Sequence, residues 1–108
     1  MKIRSIVNDN SEEVGTPLHK AAMNGHLAEA ESLIARGAAI NAKNDQGYTP
    51  LHLAAAFVQK DMVELLIAKG ADVNAKGKDG WTPLAWAEAS SNPDRDMEAV
   101  LRKHGARE

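Results

Sequence analysis

The stretch TPLHLAA at residues 49–55 recurs as TPLHKAA at residues 16–22 and as TPLAWAE at residues 82–88. Each copy begins 33 residues after the previous one, and the same period relates Gly37-Ala38 to Gly70-Ala71. A fixed period of this length is typical of proteins in which one supersecondary unit is stacked several times. The sequence therefore predicts three structural repeats.

Each repeat carries signals for two helices, as the middle repeat illustrates. The hydroxyl of Thr49 can accept a backbone hydrogen bond at a helix N-cap, and Pro50 suits the first helical position, where no N–H partner is needed. A second apolar pattern at residues 62–67 runs toward Gly70, which is typical of the position just after a helix. The pattern predicts two antiparallel helices per repeat, and the alanine pairs of the openings favour their close approach.

Two segments between the predicted helix pairs, residues 38–48 and residues 71–81, are rich in Asn, Asp, Gly and Lys. These residue types favour turns, because they tolerate unusual backbone angles or bond their own backbone. We expect both segments to project sideways from the helices, and we call residues 38–48 the first finger and residues 71–81 the second finger.

The TPLHLAA opening, together with the GADVNA close at residues 70–75, resembles the ankyrin-repeat family. The resemblance covers roughly residues 6 to 106. It implies an all-α ankyrin-repeat solenoid of stacked helix-turn-helix pairs with projecting β-turn fingers. The expected single domain spans residues 1–108, with repeats at approximately residues 12–43, 44–76 and 77–108 after an N-terminal extension of residues 1–11.

Three features depart from the family pattern. Val58 stands where the family usually has glycine, Ala85 stands where it has histidine, and two extra residues fall within residues 90–93. Valine takes a positive φ only at a cost, so we expect the turn at Val58 to be rebuilt, which would let Phe57 rotate into the gap between helices. These departures concern local turns rather than the fold.

Composition and charge exclude several classes of function. The net charge of −2 gives no broad positive field, so nucleic acid is not the expected partner. No run of eighteen apolar residues is present, so we expect no membrane span. The chain has no cysteine and therefore no disulfide or thiolate chemistry. We expect a cytoplasmic monomer.

The four histidines raise the question of a metal site, since His19 and His26 are close in sequence and His52 shares the repeat position of His19. The family resemblance instead implies a structural role, in which the histidine of the opening bonds the neighbouring threonine and the turn backbone. His104, near a predicted helix C-terminus, suits the helix dipole. No phosphate loop or nucleophile motif is present, so we expect no enzyme, no cofactor and no metal.

The family resemblance implies that finger tips and first-helix ends line a concave surface that binds another protein. Three of the four aromatic residues of the chain, Tyr48, Phe57 and Trp81, fall on that surface, while Trp86 is expected in the core. The acidic residues beside them suggest a partner with a basic rim. The candidate positions carried over to this chain are Glu12, Glu13, Met23, Asn24, Asp45, Gln46, Tyr48, Ala56, Phe57, Lys78, Asp79, Trp81, Ala89 and Ser90.

Two other interpretations remain open. Tyr48 and Trp81 each precede a Thr-Pro pair and could pack over the neighbouring finger instead of binding a partner. In that case the chain would be a structural or engineered consensus-like scaffold with no dedicated partner. A catalytic or metal-dependent protein is the third interpretation, and we consider the interaction module the best of the three.

Overall fold

The computed structural model describes residues 14–89 and 95–106. Within these ranges the chain forms six α-helices and no β-strand, as the repeat pattern predicts. The helices are α1 (Pro17–Asn24), α2 (Leu27–Ala35), α3 (Pro50–Ala56), α4 (Lys60–Ala68), α5 (Pro83–Ala89) and α6 (Arg95–Lys103). They pair as α1 with α2, α3 with α4 and α5 with α6, so each sequence repeat contributes one helix pair.

The Thr-Pro pairs start the first helix of each repeat, which confirms the prediction. The hydroxyl of Thr49 accepts the backbone N–H of His52, and Nδ1 of His52 accepts the backbone N–H of Thr49 at 3.0 Å. Thr16 caps α1 with the same reciprocal pair. The hydroxyl of Thr82 accepts the N–H of Ala85 at 3.1 Å, so one of the two bonds remains where the histidine is missing.

The core lies between the two rows of helices. The first helices of successive repeats, α1, α3 and α5, pack more extensively on one another than the second helices do, because buried alanines hold little side chain between them. The larger residues filling the core are Leu18, Leu51, Met62, Val63, Leu66, Leu84, Met97 and Leu101. The first helices also contact the fingers, since His19 of α1 and His52 of α3 bond finger carbonyls.

The two fingers lie side by side and bond through their backbones and asparagines. The N–H of Lys78 in the second finger donates to the carbonyl of Gln46 in the first finger at 2.9 Å. At the other end of the fingers, Oδ1 of Asn41 accepts the N–H of Asp72 at 2.8 Å. These bonds fix the spacing between neighbouring fingers.

The turn at Val58 differs from the expectation. Val58 takes φ 57°, close to the φ of 73° at Gly25 in the equivalent turn of the first repeat. The N–H of Gln59 donates to Ala54 O at 2.8 Å, as the N–H of His26 donates to Ala21 O in the first repeat. The prediction of a rebuilt turn is wrong, because this hydrogen bonding and the packing of the Val58 side chain against the core hold the left-handed geometry.

Phe57 also differs from the expectation, since it does not enter the gap between helices. Its side chain is 55% exposed at the end of α3. The predicted extension at residues 1–11 and the extra residues within 90–93 lie outside the described residues. The division of the chain into one domain with the three stated repeat ranges stays a prediction.

Candidate functional site

The histidines of the Thr-Pro-Leu-His openings attach each finger to the helix before it. Nε2 of His19 bonds the carbonyl of Tyr48 at 2.8 Å, and Nε2 of His52 bonds the carbonyl of Trp81 at 2.8 Å. A carbonyl only accepts, so each Nε2 carries the proton, while each Nδ1 accepts a threonine N–H. The structural role predicted for these histidines is confirmed, and it fixes the backbone of the two aromatic residues.

Both imidazoles are neutral at physiological pH. Burial lowers the pKa of His19 and of His52 below the ordinary value of 6.5, against the smaller opposing effect of the finger carbonyls. A proton on Nδ1 would also remove the acceptor that the threonine N–H uses. The two imidazoles therefore place no positive charge beneath the aromatic residues.

The aromatic rings of the second and third repeats form one connected group. The Tyr48 ring lies 5.1 Å from the His52 ring and 5.2 Å from the Trp86 ring, measured between centroids. The Trp81 ring lies 5.8 Å from Trp86. Tyr48 and Trp81 stand at 84° and 63° to the plane of Trp86, which are favourable edge-to-face arrangements.

Gly77 in the second finger makes room for the Tyr48 ring. A Cβ atom at position 77 would collide with Cε1 and Cδ1 of Tyr48. The equivalent residue of the first finger is Asn44, whose Oδ1 accepts the backbone N–H of Tyr48 at 2.9 Å. The first finger therefore orients Tyr48, and the second finger provides the flat surface against which its ring lies.

Asp79 is the charged member of this group. Its Oδ2 accepts the hydroxyl proton of Tyr48, and its Oδ1 accepts the backbone N–H of Trp81 at 3.1 Å. The Tyr48 hydrogen bond lowers the pKa of the Asp79 carboxyl, and the same bond raises the pKa of the Tyr48 phenol. At neutral pH the site thus holds a carboxylate and a protonated phenol, and the carboxylate remains exposed to solvent.

These residues line an open cleft of about 450 Å³, which we call the aromatic cleft. Its lining residues are Tyr48, Ala56, Asp79, Trp81, Trp86 and Ala89. Five of the six are positions that the sequence suggested for partner binding. Trp81 is 39% exposed, so this wall of the aromatic cleft is accessible to a partner.

The remaining predicted positions do not line the aromatic cleft. Met23 and Asn24 lie at the end of α1, where the carbonyl of Met23 accepts the side chain of Gln59. The exposed residues Asp45, Gln46, Phe57 and Lys78 lie on the fingers and at the end of α3. Glu12, Glu13 and Ser90 lie outside the described residues.

Trp86 was expected in the core, and that expectation is wrong. Its side chain is only half-buried, and its ring lines the aromatic cleft. Its indole N–H is buried beside Tyr48 and makes no hydrogen bond of normal geometry to the described residues. The available signal was Lys20, which holds the equivalent position of the first repeat and indicates that this position faces outward.

The described residues contain no group of three or more His, Cys, Asp or Glu side chains arranged to hold a metal ion. His26 faces Glu29 across 3.6 Å, and His104 faces Glu64 across 3.3 Å. His19 and His52 use both ring nitrogens within the fold. The chemistry available in the aromatic cleft is therefore that of aromatic faces and one carboxylate.

Comparison with known families agrees with the architecture. A family model described as ankyrin repeats in three copies matches residues 3–77, which is more than half of the chain. The chain belongs to the ankyrin-repeat family. Ankyrin repeats generally serve as protein-protein interaction modules and are typically not enzymes.

Two further findings concern relatives of the chain and membrane-spanning helices. A search of functionally curated proteins finds no match to the chain. None of the helices in residues 14–89 and 95–106 has the length and apolar character needed to cross a bilayer.

Proposed function

We propose that this chain is a non-catalytic interaction module that binds a partner protein through the aromatic cleft and the adjoining finger surface. The observation that carries the proposal is the open group of three aromatic rings, Tyr48, Trp81 and Trp86, beside the exposed carboxylate of Asp79. We take the partner to be a protein rather than a nucleic acid, given the net charge of −2, and the chain to act as a cytoplasmic monomer.

The cleft is suited to binding because it is ordered before a partner arrives. His52 holds the Trp81 backbone, Asn44 holds the Tyr48 backbone, and Asp79 holds the Tyr48 hydroxyl. Binding to rings that are already fixed loses little conformational entropy. Large aromatic anchors in such positions commonly dominate the binding energy of an interface.

Exposure favours binding over a purely structural role for Trp81. Tyr48 packs on His52 and Trp86, so part of its role is to stabilise the stack. Trp81 contacts Trp86 but leaves 39% of its surface in solvent. The contact with Trp86 accounts for the covered part of the indole, and the exposed part remains available to a partner.

Affinity capture from a cell lysate with three baits tests the proposal. The baits are the parent chain, Trp81→Ala, and a matched control, Leu27→Ala. Leu27 is 37% exposed, about as exposed as Trp81, but it lies at the start of α2 and does not line the aromatic cleft. We avoid Tyr48→Ala, because losing its contacts with His52 and Trp86 would also destabilise the stack.

We expect a protein that the parent and Leu27→Ala retain and that Trp81→Ala loses. All three baits must first show the same melting temperature within a few degrees, so that loss of binding is not loss of folding. Recovery of the same proteins with all three baits would contradict the proposal. It would favour the alternative of a scaffold in which the aromatic residues only stabilise the stack.

A further inference from the structure

We infer, on the basis of the interaction function proposed above, that the aromatic cleft receives the cationic side chain of a lysine or arginine of the partner protein. The inference deepens that function by naming the chemistry of the anchor. It follows from three properties of the cleft: its aromatic walls, its one fixed negative charge, and the absence of a competing cation among its described lining residues.

The walls of the cleft attract cations. The face of an aromatic ring carries partial negative charge and holds an ammonium or guanidinium group within about 6 Å of its centroid, with tryptophan the strongest. Three of the six lining residues are aromatic, and two of those are the only tryptophans of the chain. The steep angles of 84° and 63° to the Trp86 plane keep Tyr48 and Trp81 from stacking on Trp86. The three rings therefore line the cleft at different angles rather than as one stack.

Asp79 adds a full negative charge at the edge of these rings. Its two oxygens each accept one bond, from the Tyr48 hydroxyl and from the Trp81 N–H, and a carboxylate has further acceptor positions. Those bonds fix the carboxylate beside the rings while leaving it exposed. A cation that contacts the rings can pair with this carboxylate, and a neutral side chain of the same size cannot.

The charges around the cleft agree with a cationic guest. His52 lies directly behind Tyr48 and is neutral, so it does not repel a cation. Glu88, next to Ala89, pairs with Arg102 at 2.6 Å. Lys78 is exposed beside Asp79, but it is not a lining residue. Asp79 is thus the only lining residue with a full charge at neutral pH among those described.

The shape of the cleft favours a side chain over a free small molecule. The cleft is open on the surface rather than enclosed, and its volume of about 450 Å³ exceeds that of one ammonium group. A guest that enters it remains in contact with the two fingers, where the exposed residues Gln46 and Lys78 offer further polar contacts. An open site of this kind suits the long side chain of a residue that is held in place by the rest of its protein.

A titration with three capped amino acids tests the inference. The probes are N-acetyl-lysine methylamide, its arginine counterpart and the neutral norleucine counterpart, at constant ionic strength. Because both tryptophans of the chain line the cleft, tryptophan fluorescence and the two indole N–H resonances report on this site alone. The variants are Asp79→Asn and the control Asp72→Asn. Asp72 belongs to the same finger, and its Oδ1 likewise accepts the N–H two residues on, at 3.0 Å.

We expect saturable binding of the lysine and arginine probes that is at least about threefold tighter than binding of norleucine. Asp79→Asn should weaken the cationic probes by about three- to tenfold, and Asp72→Asn should leave them unchanged. Equal affinity for norleucine, or equal losses in the two variants, would overturn the inference while leaving the proposed interaction function in place. No saturable change with any probe would overturn the inference and would also count against the cleft as the binding site.

Discussion

His19 and His52 show how one residue type connects neighbouring repeats. Each is fully buried, accepts a threonine N–H at its own helix start, and donates to the carbonyl at the base of the next finger. Ala85 holds the same position in the third repeat, where the described residues offer no further finger carbonyl. This repeat position therefore holds a histidine in the two repeats that a described finger follows, and an alanine in the third repeat, after which no finger is described.

The lowered pKa values of His19 and His52 predict that acid destabilises the fold. Because both groups have a pKa below 6.5 when folded, the unfolded chain binds more protons as the pH falls through 6.5. The free energy of unfolding should be at its full value above that pH and decrease below it. Urea denaturation at about pH 7.5 and at about pH 5.5 measures this difference.

A variant separates these histidines from other titrating groups. His52→Gln removes one of the two buried imidazoles, so the loss of stability between the two pH values should be smaller than in the parent. Unfolding free energies of the parent that are equal at both pH values, or higher in acid, would contradict the prediction.

The position of an aromatic residue could be predicted only where the repeat fixes its backbone. Tyr48 and Trp81 precede the Thr-Pro pairs, so their place at the base of a finger follows from the sequence. The outward position of Trp86 was missed although Lys20 at the equivalent position indicated it, and the extent of its burial depends on how far the second finger and the Tyr48 ring cover it. This coverage depends on the spacing between the fingers. Hydrogen bonds between fingers, such as the one from Lys78 to Gln46, set that spacing, and the sequence does not reveal them.

At the scale of the helix pair, the turn after α3 places a β-branched residue in the left-handed backbone region. Val58, with φ 57°, is the only non-glycine residue with positive φ among those described. A left-handed conformation costs an L-residue roughly 1–2 kcal/mol, and β-branching makes it worse. The apolar contact of Val58 with the core offsets part of this cost.

Val58→Gly should therefore change the free energy of unfolding by less than about 1 kcal/mol, because relief of the left-handed strain is offset by the lost valine contact and by the greater freedom of glycine in the unfolded chain. The reciprocal variant, Gly25→Ala, should destabilise it, because Gly25 has φ 73° and an added Cβ would meet the side chain of Gln59. Chemical denaturation of both variants measures the two effects. A Val58→Gly variant less stable than the parent would show that packing of the valine outweighs the backbone cost.

Helices were easier to predict than the turns that join them. The starts of α1, α3 and α5 follow from Thr-Pro, because capping acts between residues close in sequence. The Val58 turn was predicted wrongly, because local propensity opposes its geometry and tertiary packing holds it. The conformational preference of valine alone favours a different turn. The hydrogen bonds to the last turn of α3 that fix the Val58 geometry depend on the folded structure.

At the scale of the whole molecule, the described repeats form a linear stack in which the middle helix pair has a neighbour on each side. The free energy of unfolding of such a stack is approximately the sum of the contributions of the individual repeats and of the interfaces between neighbouring repeats. The equivalent leucines of the second helices differ in burial: Leu66 and Leu101 are fully buried, whereas Leu33 is half-buried.

The loss of stability caused by truncating each of these three leucines to alanine should increase with the burial of that leucine. Leu66→Ala should cost about 2–5 kcal/mol and unfold the whole chain in one transition, because three buried side-chain carbon atoms are lost and a cavity remains. Leu33→Ala should cost least of the three. Urea denaturation followed by circular dichroism and by tryptophan fluorescence tests this. Separate transitions by the two probes in Leu66→Ala would show that the repeats unfold independently.

The dissociation constant of a captured partner, measured by calorimetry for the parent chain, Leu27→Ala and Trp81→Ala, tests the central claim most directly. If the aromatic cleft is the binding site, Trp81→Ala should lose about 2 kcal/mol of binding energy or more, which is roughly a thirtyfold weaker complex. Leu27→Ala should bind as the parent does. A folded Trp81→Ala variant with an unchanged dissociation constant would show that the partner binds elsewhere and that the aromatic cleft is not the interaction surface.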